Sequence, residues 1–312
     1  MTKKIGKPTT ITKKARLRAA LVALLQEHAR ADTIPTSARF LFYELVQRGI
    51  IPKARSTPGR RADQDMIDAL KSLRDDGVIP WDWIVDETRH LDNYSGYPSV
   101  REGLAAMLDV IDLDPWAGNE PLILCESRSL AGVLRALCSE YRVKIAATNG
   151  QVGGFLHTVI GPALELNARV LYLGDLDLAG GDIEANTRRV LETIVAKKLR
   201  ESYREAGRGF AERDEYLCWE RLALTAAQVA TYNLPKITKR DRRFTRGGGV
   251  HEAVETEALS QAVIIAIVRR RLDELLPEPL ADVLEREQQQ RADFQRYLDN
   301  YSETGENGGV LP

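Results

Sequence analysis

Apolar positions fall into two rhythms along the chain. Residues 13 to 77 carry a helical rhythm: Leu17, Leu21, Leu24 and Leu25 recur at three- and four-residue spacing, which predicts a helix over 13–29 with one buried stripe. Thr36 or Ser37 caps a second predicted helix, 39–47, closed by Gly49. A third helix, 62–75, carries Met66, Ile67, Leu70 and Leu73 and stops at Gly77. The segment Val78 to Val85 alternates as a strand or small hairpin would. Three short helices followed by a β segment predict a winged-helix module, a helix-turn-helix variant, over 13–92.

A second rhythm begins near residue 121, after a linker with a helix over 100–111. Leu122-Ile123-Leu124-Cys125, Val143 to Ala147 and Val170-Leu171-Tyr172-Leu173 are short, continuously apolar runs. They alternate with helical stretches at 130–141, 154–164 and 182–201, and 215–224 reads as one more strand. Strands apolar on both faces and separated by helices predict a parallel sheet covered on each side. The predicted class is α/β: an N-terminal winged helix, a sheet domain over 121–255, helices over 256–275 and 279–297, a basic arm at 1–12 and a disordered tail at 302–312.

Charge is distributed unevenly. The net charge is -1, yet residues 1–61 hold 14 Lys or Arg against Glu27, Asp32 and Glu44, while residues 272–312 hold 10 acids against three arginines. A basic first fifth supplies what phosphate neutralisation needs and equally describes a solubilising tail. Three scattered cysteines give neither a disulfide framework nor zinc spacing, and no run of about 18 apolar residues occurs. The expectation is a cytoplasmic protein outside the membrane. His28, His90, His157 and His251 lack metal-ligand spacing and are read as structural or exposed, and no GxxxxGK[ST] loop is present.

The chemistry concentrates at strand ends. Glu126 directly follows the first apolar strand, and Asp175 and Asp177 follow the third in Leu173-Gly174-Asp175-Leu176-Asp177. Carboxyl ends of parallel strands line the ligand crevice, so neighbouring strands would bring these acids together. Crowded carboxylates repel one another unless a cation sits between them, and Mg²⁺ (or Mn²⁺) is the expected ion. Helix capping accounts for one Asp in this stretch, and Asp182 is assigned that role.

Leu124-Cys125-Glu126, followed some fifty residues later by Tyr172-Leu173-Gly174-Asp175-Leu176-Asp177-Leu178-Ala179-Gly180, resembles the Toprim fold of topoisomerases, primases and related nucleases. It is most similar to the A subunit of topoisomerase VI and its meiotic double-strand-break relatives. The resemblance implies that Glu126, Asp175 and Asp177 hold catalytic Mg²⁺. Thr148-Asn149-Gly150-Gln151 falls where such proteins place a glycine-containing turn, whereas Ser127-Arg128 stands where the family often has lysine after the glutamate. Arg39-x-x-Phe42-Tyr43 resembles the Arg-x-x-aromatic-Tyr motif of the same family. That likeness implies that Tyr43 is a nucleophile toward a DNA phosphorus, that Arg39 binds phosphate, that the protein is a homodimer whose tyrosine meets the partner's metal, and that a separate ATPase subunit assists.

The amphipathic stripe Leu41, Phe42, Leu45 and Val46 equally accounts for Tyr43 as a packing residue. Lys236, Lys239, Arg240, Arg242, Arg243 and Arg246, around Phe244, read as a basic flexible loop that tracks a DNA backbone or as a solvated surface loop. With Arg128 they complete the expected DNA contacts, while Trp81 and Trp83 stiffen the wing. Three readings stay open: a tyrosine transesterase, a nuclease using metal-activated water, and a non-catalytic DNA-binding protein on the same scaffold.

Overall fold

A computed structural model describes residues 12–53, 61–85, 100–108, 110–149, 153–164, 168–213, 215–240 and 249–305. The expected arm at 1–11, residues 86–92 of the expected wing and residues 306–312 of the expected tail lie outside these.

The helical rhythm of the first part becomes three packed helices, α1 (Lys13–Arg30), α2 (Ala38–Gln47) and α3 (Gln64–Asp75). Thr12 caps α1 by accepting from the Ala15 N–H at 3.2 Å, and Ser37 caps α2 by accepting from the Phe40 N–H at 3.3 Å. Gly49 and Gly77 end α2 and α3 with φ of 67° each, a left-handed turn that side chains with a β-carbon rarely adopt. Leu21, Leu24 and Leu25 of α1 meet Leu41 and Leu45 of α2 and Met66, Leu70 and Leu73 of α3 in one core. Each such fully buried aliphatic side chain contributes about 1.5–3 kcal/mol by leaving water.

The expected strand or hairpin at 78–85 is absent among the described residues. Trp81–Trp83 is a single 3-10 turn, and only a bridge between Thr36 and Ile84 is sheet-like. Pro80 lacks a ladder donor, and the carbonyls of Trp81 and Ile84 accept from Arg74 at 3.0 Å each instead of from a partner strand. Trp81 lies beneath the same guanidinium, 5.1 Å from its ring centre.

After α4 (Val100–Leu108), the chain enters the sheet unit through β1 (Leu122–Cys125), α5 (Arg128–Glu140) and β2 (Lys144–Ala147). Next come α6 (Gly153–Phe155), a π-helical turn at Leu156–Ile160, α7 (Gly161–Ala163), β3 (Arg169–Leu173), α8 (Leu178–Glu205) and β4 (Cys218–Ala223). The four strands are parallel throughout, in the order β2-β1-β3-β4. Two-residue alternation splits the apolar runs between two cores. Ile123, Cys125, Leu171 and Leu173 face α5 and the later helix α10 (Gln261–Leu275). Leu122, Leu124, Val170 and Tyr172 face α8 and the helical segment around Leu156 and Ile160. Phe40 and Tyr43 of α2 belong to the first of these cores, so the N-terminal helices and the sheet share buried surface.

Beyond α9 (Ala226–Thr231), the expected basic loop is partly a hairpin. β5 (Ile237–Arg240) pairs antiparallel with β6 (Val250–Ala253), and residues 241–248 lie outside the described set. The helix expected to begin at Thr256 is interrupted: Thr256–Ala258 is a 3-10 turn, Leu259 is extended, and α10 restarts under a Ser260 cap. The N–H of Thr256, free at the first position of that turn, is bonded to Asp175 and ties the turn to the acid-bearing loop. The last helix, α11 (Leu280–Gly305), runs eight residues past the expected end and takes in Ser302, where a disordered tail was expected. All three cysteines are free, and no described helix is long and apolar enough to cross a membrane.

Candidate metal and phosphate site

The acids assemble because β1 and β3 are adjacent and parallel. Cys125 pairs in register with Leu173, the Glu126 N–H donates to the Leu173 carbonyl at 2.8 Å, and both chains leave the sheet at the same edge. Glu126 Oε2 then accepts from the N–H of Asp175 at 3.0 Å. Burial and the neighbouring Asp175 and Asp177 charges push the Glu126 carboxyl up to about 7, against the pull of that N–H and of Lys239. Burial also raises Asp175, together with the charge of Glu257. The Thr256 N–H, Arg39 and Lys239 oppose the rise. Asp175 Oδ1 accepts from Thr256 twice, at 2.9 Å from the N–H and 3.2 Å from the hydroxyl.

Asp177 is held differently. It is the N-cap of α8, with Oδ1 accepting from the Gly180 N–H at 2.6 Å, while Oδ2 pairs with Lys239 Nζ at 2.6 Å. Burial works to raise its pKa, but the Lys239 bond and the Gly180 N–H hold it below the ordinary aspartate value. The capping role assigned to Asp182 therefore belongs to Asp177. The helix starts four residues earlier than its apolar rhythm indicates, because Leu178-Ala179-Gly180-Gly181 carries little periodic signal.

Two further acids, Glu255 and Glu257, flank Thr256, where a helix was expected to begin. Glu257 is fully buried, and its Oε1 accepts from Ser127 Oγ at 2.6 Å and Ser129 Oγ at 2.8 Å. Arg39 of α2 reaches across to it, Nε lying 3.3 Å from Glu257 Oε1 and a terminal nitrogen 3.2 Å from Glu255 Oε2. Burial lowers and the carboxylates Glu257, Glu255 and Asp175 raise the Arg39 pKa, with a net rise. Ser127, the residue that departs from the family pattern, caps α5 and anchors Glu257. No local spacing announces these contacts: the serine bonds to Glu257 span 130 and 128 positions, and the Arg39 pairs join α2 to the far side of the sheet unit.

A cleft of about 870 Å³ opens between α2 and this edge, lined by Arg39, Tyr43, Lys53, Arg128, Ser129 and Glu255 among others. Tyr43 is 5% exposed, its ring edge-on to Phe42 and 5.1 Å from Lys53 Nζ. That ammonium is buried without a hydrogen-bond partner among the described residues, and burial, reinforced by Lys239, lowers its pKa. Arg128 is exposed at the rim, where this cleft meets a second one beside β2. Lys239 is in the site itself, not in a loop. The backbone of Arg240 ends β5, and Arg242 and Arg243 lie outside the described residues. His251 pairs with Lys239 across the hairpin and has both ring nitrogens buried and unpartnered.

The donor chemistry fits a hard divalent cation. Glu126 and Asp175 are oxygen donors whose ionisation is resisted by burial and by neighbouring carboxylates, Asp175 and Asp177 for the first and Glu257 for the second, which is the condition a cation relieves. Among the described residues, no three His, Cys, Asp or Glu side chains already stand as a metal-holding group. Asp177 has both oxygens committed to other partners. No family model, curated protein or solved structure matches the chain.

Proposed function

We propose that this chain is a divalent-metal-dependent enzyme of the Toprim type that breaks phosphodiester bonds in DNA. The observation that supports it most directly is the placement of Glu126 and Asp175 side by side at the ends of adjacent parallel strands, both carboxyls raised by burial and proximity. Glu126 and Asp175 would hold Mg²⁺ or Mn²⁺, with Asp177 joining if Lys239 yields. When bound, the ion supplies charge neutralisation on the phosphate in transit.

The chain's own residues do the rest. Arg39, Lys53 and Arg128 line the cleft beside the acids and would seat a phosphodiester, Lys53 being a buried ammonium that lacks a partner among the described residues. Tyr43 borders the same cleft, in the same chain as the acids. In the transesterase branch its oxygen bonds to phosphorus, the bond from phosphorus to the departing sugar oxygen breaks, and the proton given up by the phenol is matched by one taken up by that sugar oxygen. In the nuclease branch water takes that place and Tyr43 only packs. Denaturing gels of protein, Mg²⁺ and DNA separate the two: a protein-linked DNA band lost in Tyr43→Phe supports the first, and free cut ends unchanged by Tyr43→Phe support the second. No cut DNA with Mg²⁺ or Mn²⁺ overturns both.

One observation favours a rival. The Lys239 ammonium against Asp177 is the cation that a non-catalytic scaffold would use in place of a metal. DNA binding that is unchanged by EDTA, with no cleavage, would select that reading, with the winged-helix-like helices α1–α3 as the DNA-binding part.

A further inference from the structure

We infer that Glu257 is a ligand of the divalent cation, completing with Glu126 and Asp175 a carboxylate set in which Asp177 is not required. The inference rests on the metal reading above and extends it to a residue with no place in the strand-end pattern.

Its basis is an imbalance between the two oxygens of one carboxylate. Glu257 Oε1 has three partners, the hydroxyls of Ser127 and Ser129 and the guanidinium of Arg39. Glu257 Oε2 has none among the described residues, although the side chain is wholly withdrawn from solvent. A buried carboxylate oxygen left unpaired costs several kcal/mol unless something positive or hydrogen-bonding meets it. Surplus donors are close by, since three already crowd the other oxygen, so its isolation is a matter of position. Mg²⁺ and Mn²⁺ are the partners that such an oxygen suits: hard, oxygen-seeking and satisfied by carboxylates of mixed denticity.

The location is right for that ion. Thr256, the preceding residue, donates both its N–H and its hydroxyl to Asp175 Oδ1, so the backbone leading to Glu257 is fastened to the Asp175 carboxylate. Asp175 is fastened in turn to Glu126 through its own N–H. Three segments that each carry a carboxylate thereby meet at the sheet edge. Ser127 and Ser129 hold Oε1 from the first turn of α5 and fix the carboxylate plane, the supporting role that outer partners take around metal ligands. Asp177, with one oxygen on a helix N-terminus and the other on Lys239, is already neutralised.

The test is Mn²⁺ titration of the full chain, following loss of the free-ion signal by electron paramagnetic resonance. The wild-type chain, Glu257→Gln, Asp175→Asn, Asp177→Asn and the surface control Glu252→Gln are compared. Expected are loss of binding in Asp175→Asn, weakening of about tenfold or more in Glu257→Gln, a smaller loss in Asp177→Asn than in Glu257→Gln, and near wild-type binding in Glu252→Gln. Wild-type affinity in Glu257→Gln together with lost binding in Asp175→Asn overturns the assignment while leaving the metal reading intact. No binding by the wild type overturns both. Because Glu257→Gln disturbs a buried network, Mn²⁺-soaked crystals of the wild type give a second measurement that needs no variant. An anomalous peak within about 2.0–2.6 Å of Glu257 Oε2 supports the inference, and a peak on Glu126 and Asp175 alone overturns it.

Discussion

A β-carbon built on Gly180 would stand 2.6 Å from the carbonyl oxygen of Asp175, closer than real side chains approach backbone. The next residue, Gly181, has nothing within 4 Å of the same position. The two glycines at the start of α8 thus do different work. Gly180 lets the helix begin directly under the acid-bearing turn, and its N–H is the one that Asp177 caps.

Gly180→Ala therefore destabilises the protein by about 1–3 kcal/mol, as the turn is forced to shift, and weakens metal binding with it. Gly181→Ala, in an exposed helical position, stabilises by about 0.5–1 kcal/mol and leaves the metal affinity unchanged. Urea denaturation and Mn²⁺ titration of the pair check both halves.

Glu126 gives a pH dependence of defined sign. Below its ordinary value of 4.5 the carboxyl is protonated whether the chain is folded or not, so it adds nothing. Between 4.5 and about 7 the unfolded chain ionises while the folded one retains the proton, so this group's effect on stability becomes progressively unfavourable and then levels off. In EDTA, Glu126→Gln raises the melting temperature above that of wild type at pH 8 and leaves no such gain at pH 4. An equal gain at both values would show that charge is not the cause.

Asp175 and Asp177 differ by two positions and behave as opposites. Asp177→Ala removes a helix cap and costs about 1–2 kcal/mol at neutral pH. Its depressed pKa means that this contribution is lost as pH falls through the folded value, below 3.8. Asp175→Asn keeps the acceptor for Thr256 and sheds a charge that the site resists, so stability is unchanged or rises while metal binding disappears. Chemical denaturation at pH 7 separates the two residues.

Tyr43→Phe keeps the ring against Phe42 and under Lys53, so its stability cost stays within about 1 kcal/mol and any loss of DNA linkage is chemical. A large loss of stability would instead assign the hydroxyl a structural bond.

Legibility from sequence followed burial. β1 and β3 were readable because both faces of each strand are covered, which leaves uninterrupted apolar runs, and an acid at the end of such a run is conspicuous. β5 and β6 were not, since Ile-Thr-Lys-Arg and Val-His-Glu-Ala form a mostly polar two-stranded ribbon without that pattern. Glu255 and Glu257 escaped for a related reason: they face the acids across more than 75 intervening residues, and only the hairpin's return path brings them there. Ser127, noted as a departure from a motif, turned out to be a cap and an anchor, roles that a missing lysine does not advertise.

Gln261, at the first turn of α10, donates to the carbonyls of Thr33 and Pro35 at 2.8 and 3.0 Å and accepts from the Thr36 hydroxyl, the Thr33 and Thr36 bonds being buried and the Pro35 bond partly so. Gln261→Ala therefore costs about 2–3 kcal/mol, read as a drop in the urea midpoint. With Phe40 and Tyr43 embedded beside α5 and α10, that clasp ties the helical front to the sheet among the described residues. Prying the cleft wider would cost those buried bonds, which biases the opening toward ligands that fit the gap as it stands.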